Sequence, residues 1–194
     1  MVEFPIEDIN EENFQNIDGT TSKVQIMSIT QCVFRKSYNL EWDSNLVEIY
    51  LSNKTMVFYI IVPKKVNGFK KLWTEFNYTS FSLTVKALQP TKCDIFLPKF
   101  KVECDYDFAK HFTELKVFKE EAEMDAIGGD HKLRANNVLH KVIFEVDSEG
   151  LNKPKDDDAN QAQSVSIRAD HPFLFLVVDN RTDALILIGK VVKL

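Results

Sequence analysis

The stretch that most constrains the fold is the end of the chain, residues 169–194, which read ADHPFLFLVVDNRTDALILIGKVVKL. Two apolar runs, Phe173 to Val178 and Ala184 to Val192, flank the polar group Asp179 to Asp183. Both runs are rich in β-branched and aromatic residues, which suit a pleated, packed surface, and the polar break between them is a reversal. The pair therefore reads as a hairpin. Each run is nearly continuously apolar rather than alternating, which predicts that both faces of both strands are buried, at the centre of a domain. Pro172 fits the first position of the first strand, where its missing N–H leaves no ladder bond unmade. Gly189 marks a close backbone approach or bend in the second.

Upstream, residues 1–20 are acidic and turn-rich, an arm anchored by Phe4 and Phe14. Val24, Ile26, Ser28, Thr30, Cys32 and Phe34 then alternate with their neighbours, which predicts a strand from Ser22 to Arg35. Val47 to Leu51 and Met56 to Val62 come next around the turn Ser52 to Thr55, completing a meander. Phe69, Leu72, Trp73 and Phe76 form the apolar face of a short helix after the Asn67-Gly68 break, and all four are assigned to the core. Ser80 to Leu88 reads as a second short helix, with Pro90 as its stop. Cys93 to Glu103 is extended, and Phe108, Phe112 and Leu115 face a further short helix. Residues 119–132, with Gly128-Gly129, form a charged loop, and Val138 to Val146 is a strand with Val138, His140, Val142, Phe144 and Val146 on one face.

Several of these segments carry a resemblance. Ile167 to Val177, IRADHPFLFLV, resembles the carboxy-terminal signature of the serpins, and Leu185 to Val191 resembles that family's closing strand. Phe4 to Phe14 together with Val24 to Met27 is similar to the serpin passage into its second sheet, and Met56 to Pro63 to the strand after it. Leu97 to Lys101 looks like the segment leading into the central sheet, and Ala122 to Ile127 like a family loop motif with substitutions. His140 to Asp147 resembles the strand that precedes the exposed reactive loop. The likeness runs from about Phe4 to Val192 but corresponds to the carboxy-terminal half of a serpin. It implies an α+β chain, a single domain over residues 1–194, mainly antiparallel sheet with a few short helices. The amino-terminal helical half and part of the central sheet are missing from that correspondence.

By the same resemblance, residues 148–163 stand where the reactive loop should be. In inhibitory serpins the hinge after a Glu-Gly pair is built of small residues, so that the cleaved loop inserts into the central sheet and carries the acylated protease away. Here Glu149-Gly150 is succeeded by Leu151, Asn152, Lys153 and Pro154, then by Lys155 and three aspartates, Asp156 to Asp158. Pro154 cannot donate to a ladder, and charged side chains at alternate positions would be buried at a cost on the order of several kcal/mol each. No scissile bond is assigned. The strand that would flank the insertion slot on its other side has no counterpart in the resemblance, so covalent trapping by this chain alone is expected to fail. Two functional readings remain. One is a non-inhibitory protein-binding or regulatory module, its partner a protease or another protein. The other is a serine-type endopeptidase inhibitor acting by tight loop binding or with a complementary amino-terminal half. An uncovered apolar sheet face also predicts a dimer or a complementary chain.

Other classes find little support. With 24 basic and 29 acidic residues the formal charge is −5, so no field draws the chain onto nucleic acid or an anionic membrane. The apolar runs fall short of the roughly 20 residues a membrane helix needs. No basic segment leading into an apolar one opens the sequence, which favours a cytoplasmic location, while the resemblance keeps an extracellular one open. Cys32, Cys93 and Cys104 follow no CxxC spacing and read as buried free thiols. N-x-Thr sequons start at Asn53, Asn77 and Asn180 without deciding the compartment. His111, His131, His140 and His171 form no HExxH, no serine lies in GxSxG, and no glycine-rich phosphate loop is present, so no catalytic residue, cofactor or metal is expected. Asp156 to Asp158 lack spaced ligands and read as a solvated loop. Asp170-His171 has the composition of a catalytic dyad. Its place within Ala169, Asp170, His171, Pro172 and Phe173 assigns it instead to a structural hydrogen-bonding pair.

Overall fold

The computed structural model describes residues 9–51, 55–111, 114, 135, 137–147 and 164–194. In chain order its elements are β1 (Ile9–Gln15), β2 (Thr21–Asn39), β3 (Ser44–Tyr50), β4 (Met56–Pro63), α1 (Phe69–Glu75), α2 (Tyr78–Lys86) and β5 (Gln89–Pro98). They continue as β6 (Phe100–Asp107), α3 (Phe108–His111), β7 (Leu139–Val146), β8 (Val165–Arg168), β9 (Phe173–Asp179) and β10 (Ala184–Val191). The chain divides into two compact units, one of residues 1–100 with 146–194 and one of residues 101–145.

The first unit is built on a sheet of order β10-β9-β4-β3-β2-β5-β8, with β1 pairing β2 beside that path. Neighbours are antiparallel except β5 and β8, which run parallel. β2, with 19 residues, holds β1 along its first part, β5 along its middle and β3 at its end. Its register against β5 shifts between Ile29 and Cys32. There Gln31 adopts φ 58°, and its backbone N–H donates to Asp94 Oδ1 at 2.8 Å. This is a β-bulge, in which one extra residue kinks the strand and re-aims the side chains beyond it. Simple alternation along Ser22 to Arg35 concealed it.

The acidic arm is also more ordered than its composition implied. Ile9–Gln15 is a paired strand and Phe14 is wholly buried, while Phe4 lies outside the described residues. Beyond β1, the Asn16 side-chain amide donates to Thr20 and Ser22 at 2.9 Å, and the Ile17 N–H donates to the Val192 carbonyl at 2.9 Å. Ladder bonds hold this segment, and they need no apolar periodicity.

One face of the sheet carries a core of Leu174, Leu176 and Val178 from β9, Val57, Tyr59 and Ile61 from β4, and Trp42, Leu46, Phe69, Leu72, Phe81 and Leu88. The two helices close this face. α2 starts where the Asn77 side chain caps it, accepting from the Ser80 N–H at 2.8 Å. α1 buries Phe69 and Leu72, and Phe76 packs against the same cluster. Trp73 departs from expectation: it is 52% exposed, with the Lys190 ammonium 4.2 Å from its ring centroid. Position 73 is turned from Leu72 by about 100° of helix rotation, and so short a helix buries only a narrow stripe.

β9 is buried along its whole length, as its apolar run predicts. Phe58 lies 5.8 Å and Phe100 5.5 Å from Phe175, ring centroid to centroid, and Phe100 meets Phe173 edge-on at 5.8 Å. β10 does not share this burial. It ends the strand order, and Leu185, Ile186 and Ile188 are exposed. A continuous apolar run reports composition and carries no information about strand order, so two similar runs fall in a central and an edge position.

In the second unit β6 and β7 form a two-stranded sheet. Lys141 pairs with Glu103 at 2.6 Å, and the Phe108 ring stacks on His140 at 5.2 Å. Along β7 the half-buried Val142 and Phe144 alternate with exposed Lys141, Ile143 and Glu145. Phe112, Leu115 and the loop 119–132 lie outside the described residues. No helix among the described residues is long and apolar enough to cross a membrane.

Candidate functional site

The serpin-like signature begins where β8 leaves the sheet. β8 runs parallel to β5 through Ile95↔Ile167 and Phe96↔Arg168, and the Ala169 N–H then donates to the Phe96 carbonyl at 2.8 Å. Ala169 is wholly buried, and Pro172 leads directly into β9. The Asp170 carbonyl accepts from the Gln15 N–H at 2.8 Å, so β1 holds the turn from the other side.

Asp170 and His171 meet side chain to side chain. His171 Nδ1 lies 2.7 Å from Asp170 Oδ1, and Nε2 lies 2.9 Å from the Pro63 carbonyl at the end of β4. Both ring nitrogens therefore face acceptors. A ring protonated at one nitrogen satisfies one contact and turns a lone pair on the other, whereas a doubly protonated ring donates to both. Asp170 also accepts from Arg168 Nε at 3.4 Å. Burial acts to raise the Asp170 carboxyl. The hydrogen bonds and charges of His171 and Arg168 outweigh it and hold the group below the ordinary carboxylate range. Arg168 in turn pairs with Glu12 of β1 and lies 4.1 Å over the Phe96 ring. The cluster ties β1, β4, β5 and β8 to the start of β9.

A general base needs a ring nitrogen open to a substrate proton, and His171 has committed both of its nitrogens while buried. Through Nε2 the pair is joined to the Pro63 carbonyl at the end of β4. Beside it opens a cavity of about 540 Å³, lined by Lys36, Tyr38, Asn45, Lys64, Arg168 and His171 among others. The partners Glu12, Pro63 and Phe96 had no signal in the sequence, because each is joined to the signature only through sheet pairing. The hinge residues Glu149, Gly150, Leu151, Asn152, Lys153 and Pro154, the whole segment 148–163 and the aspartates 156–158 lie outside the described residues.

A family model described as Serpin (serine protease inhibitor) matches residues 1–194. The chain belongs to the serpin family. It is 29% identical over 156 residues to a protein named serine protease inhibitor from Cyanea capillata, covering 76% of this chain and 41% of that protein. It is 31% identical to Serpin H1 of Rattus norvegicus, again over 76% of this chain and 37% of the relative. Serpin B3 of Homo sapiens is 26% identical over 96% of this chain and 50% of its own length. Among solved structures, uncleaved ovalbumin superposes with a TM-score of 0.85 at 22% identity, which establishes the fold, over 99% of this chain and 50% of that one. Maspin superposes with a TM-score of 0.86 at 26% identity, over 100% of this chain and 54% of that one. The chain thus spans about half the length of the serpins it matches. Serpins are in general protease inhibitors rather than enzymes, and the fold seen here, mostly sheet with short helices, is a partial serpin fold.

Proposed function

We propose that this serpin chain, acting alone, is a non-inhibitory protein-binding or regulatory module. The observation that carries the reading is the pairing of β7, the strand before the reactive-loop-like segment 148–163. Among the described residues its sheet neighbour is β6 alone. A cleaved loop that inserts as a new strand needs a strand on each side of it, and the composition of Leu151 to Asp158 is poor material for such a strand. The test is incubation of the purified chain with chymotrypsin-like and papain-like proteases, read by denaturing gel and intact mass. Cleavage between Ser148 and Arg168 with the protease left active is the expected result. A band at the summed mass that survives denaturant would overturn the reading.

A second reading has its own support. The names of relatives such as the Cyanea protein point to serine-type endopeptidase inhibition, and the matched relatives are about twice as long as this chain. The exposed Leu185, Ile186 and Ile188 on edge strand β10 favour a covering partner, either a complementary amino-terminal half or a second copy. Inhibition that appears only when an amino-terminal serpin half is added would establish this reading. Light scattering of the chain alone separates the two covers: a monomer that binds the added half excludes a second copy.

A further inference from the structure

Two of the three cysteines meet across the sheet. Cys32 on β2 and Cys93 on β5 are register partners in an antiparallel pair, and both are thiols with no accessible surface. The bulge is what brings them together. Below it the pairing runs Ile26↔Pro98 to Ile29↔Ile95, a register that would set Gln31 opposite Cys93. The extra residue at Thr30-Gln31, pinned by Gln31 at φ 58° and by Asp94, advances β2 so that Cys32 takes that place. Residues directly opposed in an antiparallel pair point to one face, with Cα atoms about 4.5 or 5.5 Å apart according to the type of pair. A disulfide needs roughly 4.4–6.8 Å. The backbone spacing of such a pair falls within that range.

We infer that Cys32 and Cys93 form a cross-strand disulfide when the chain meets a low-molecular-weight disulfide oxidant such as glutathione disulfide. The thiolate of one cysteine attacks the oxidant's S–S bond, forming a mixed disulfide and releasing one glutathione. The second cysteine's thiolate attacks the protein sulfur of that mixed disulfide, forming the Cys32–Cys93 bond and releasing the second glutathione. The protein loses two electrons and two protons, and the oxidant takes up both.

Burial decides when this happens. The Cys93 thiol is pushed up to about 11 by desolvation, and the folded sheet leaves a glutathione molecule no approach to either sulfur. Exchange therefore proceeds while β5 is parted from β2, during folding or in transient opening of this end of the sheet. Among the described residues, only the four-residue β8 lies beyond β5 in the strand order. Once formed, the bond locks the register above the bulge and leaves Cys104, partly exposed on β6, as the remaining thiol.

The experiment uses the full chain, refolded and then held in a buffer of reduced and oxidised glutathione, quenched by alkylation and read by intact mass and non-reducing peptide mapping. The expected result is a single alkyl group, on Cys104, together with a loss of about 2 mass units, the two hydrogens of one disulfide. A Cys32–Cys93 cross-linked peptide should appear, persist in C104A and vanish in C93A. The cross-linked form should also unfold at higher guanidinium than the reduced form. Three alkylated cysteines, glutathione adducts without an internal bond, or a bond that includes Cys104 would each overturn the inference. The wild-type map carries the result, so it stands even where a variant fails to fold.

Discussion

Gly189 of β10 stands directly opposite Phe175 of β9, and the Phe175 ring lies in the space a side chain at position 189 would occupy. A Cβ there would fall 2.6 Å from Cε1 and 3.0 Å from Cε2 of a ring that is itself 1% exposed. The ring is wedged between Phe58 and Phe100 and has little room to yield. Gly189→Ala should therefore cost about 1–3 kcal/mol through overpacking, and Phe175→Ala about 3–5 kcal/mol through the cavity it leaves. The double variant should cost clearly less than the sum of the two, because each change relieves the other. Urea midpoints of the four proteins test this; additive costs would separate Gly189 from Phe175.

Acid should weaken the fold partly through Asp170. Its carboxyl is held below the usual range, burial opposing and the contacts to His171 and Arg168 prevailing. A group with a depressed folded value contributes stability fully above its unfolded value, about 3.9, and loses it as pH falls through the folded one. Asp179, held at about 2 by its hydrogen bonds to Arg181, shares the same limb. Asp170→Asn should lower stability at pH 7 by roughly 1–3 kcal/mol and flatten the decline below pH about 4. Unfolding midpoints measured from pH 7 to pH 3 decide it, an unchanged slope counting against the assignment.

Alkali should act on a different pair. Burial raises the Cys93 thiol to about 11, and burial, aided by the charges of Glu48 and Tyr50, raises the Tyr59 phenol. For groups raised in the folded state the contribution is intact below the unfolded value and is lost as pH climbs through the folded one. Stability should fall from pH about 9 upward, and Cys93→Ala should remove part of that slope while lowering stability at neutral pH. Denaturant titrations at pH 8 and pH 10.5 compare the two proteins directly.

The two tryptophans should behave oppositely. Trp42 is wholly buried in the core, 5.4 Å from Phe76, and its indole N–H has no hydrogen-bond partner among the described residues. Trp42→Ala should cost about 3–5 kcal/mol, and Trp42→Phe much less, because most of the volume stays and no hydrogen bond is lost. Trp73→Ala should cost about 0.5–1 kcal/mol, the value of an exposed cation–π contact with Lys190. Acrylamide should quench the fluorescence of Trp73 and spare that of Trp42.

Where the sequence was legible, a local period carried the information. β3, β4, α1, α2 and β9 lie close to their apolar runs, because each packs a continuous face against one core. The signature pair was legible as well, since Asp170 and His171 are neighbours in the chain and need only a turn to meet. The features that escaped depended on distant partners. The exposure of β10 comes from strand order, the ordering of β1 from ladder bonds to β2, and the contacts of Glu12 and Phe96 with Arg168 from sheet pairing across the chain. Trp73 misled because a three- or four-residue offset marks a helical face without fixing how wide that face is when seven residues form the helix.

The length of β2 makes it the ruler against which three other strands are aligned. The bulge at Thr30-Gln31 cuts that ruler in two, since β1 reads only positions up to Met27 and β3 only positions from Arg35 onward. A residue inserted between Lys36 and Asn39 would shift the end of β2 against β3 while its pairs with β5 stay aligned, and would turn the side chains beyond the insertion to the opposite face. Loss of one residue at the bulge would leave both halves paired as before, Ile29 with Ile95 and Cys32 with Cys93, on a strand of plain alternation. Length changes in this chain are therefore graded by where they fall on a single strand, and β5, which pairs on both sides of the bulge, is what ties the two halves of β2 together.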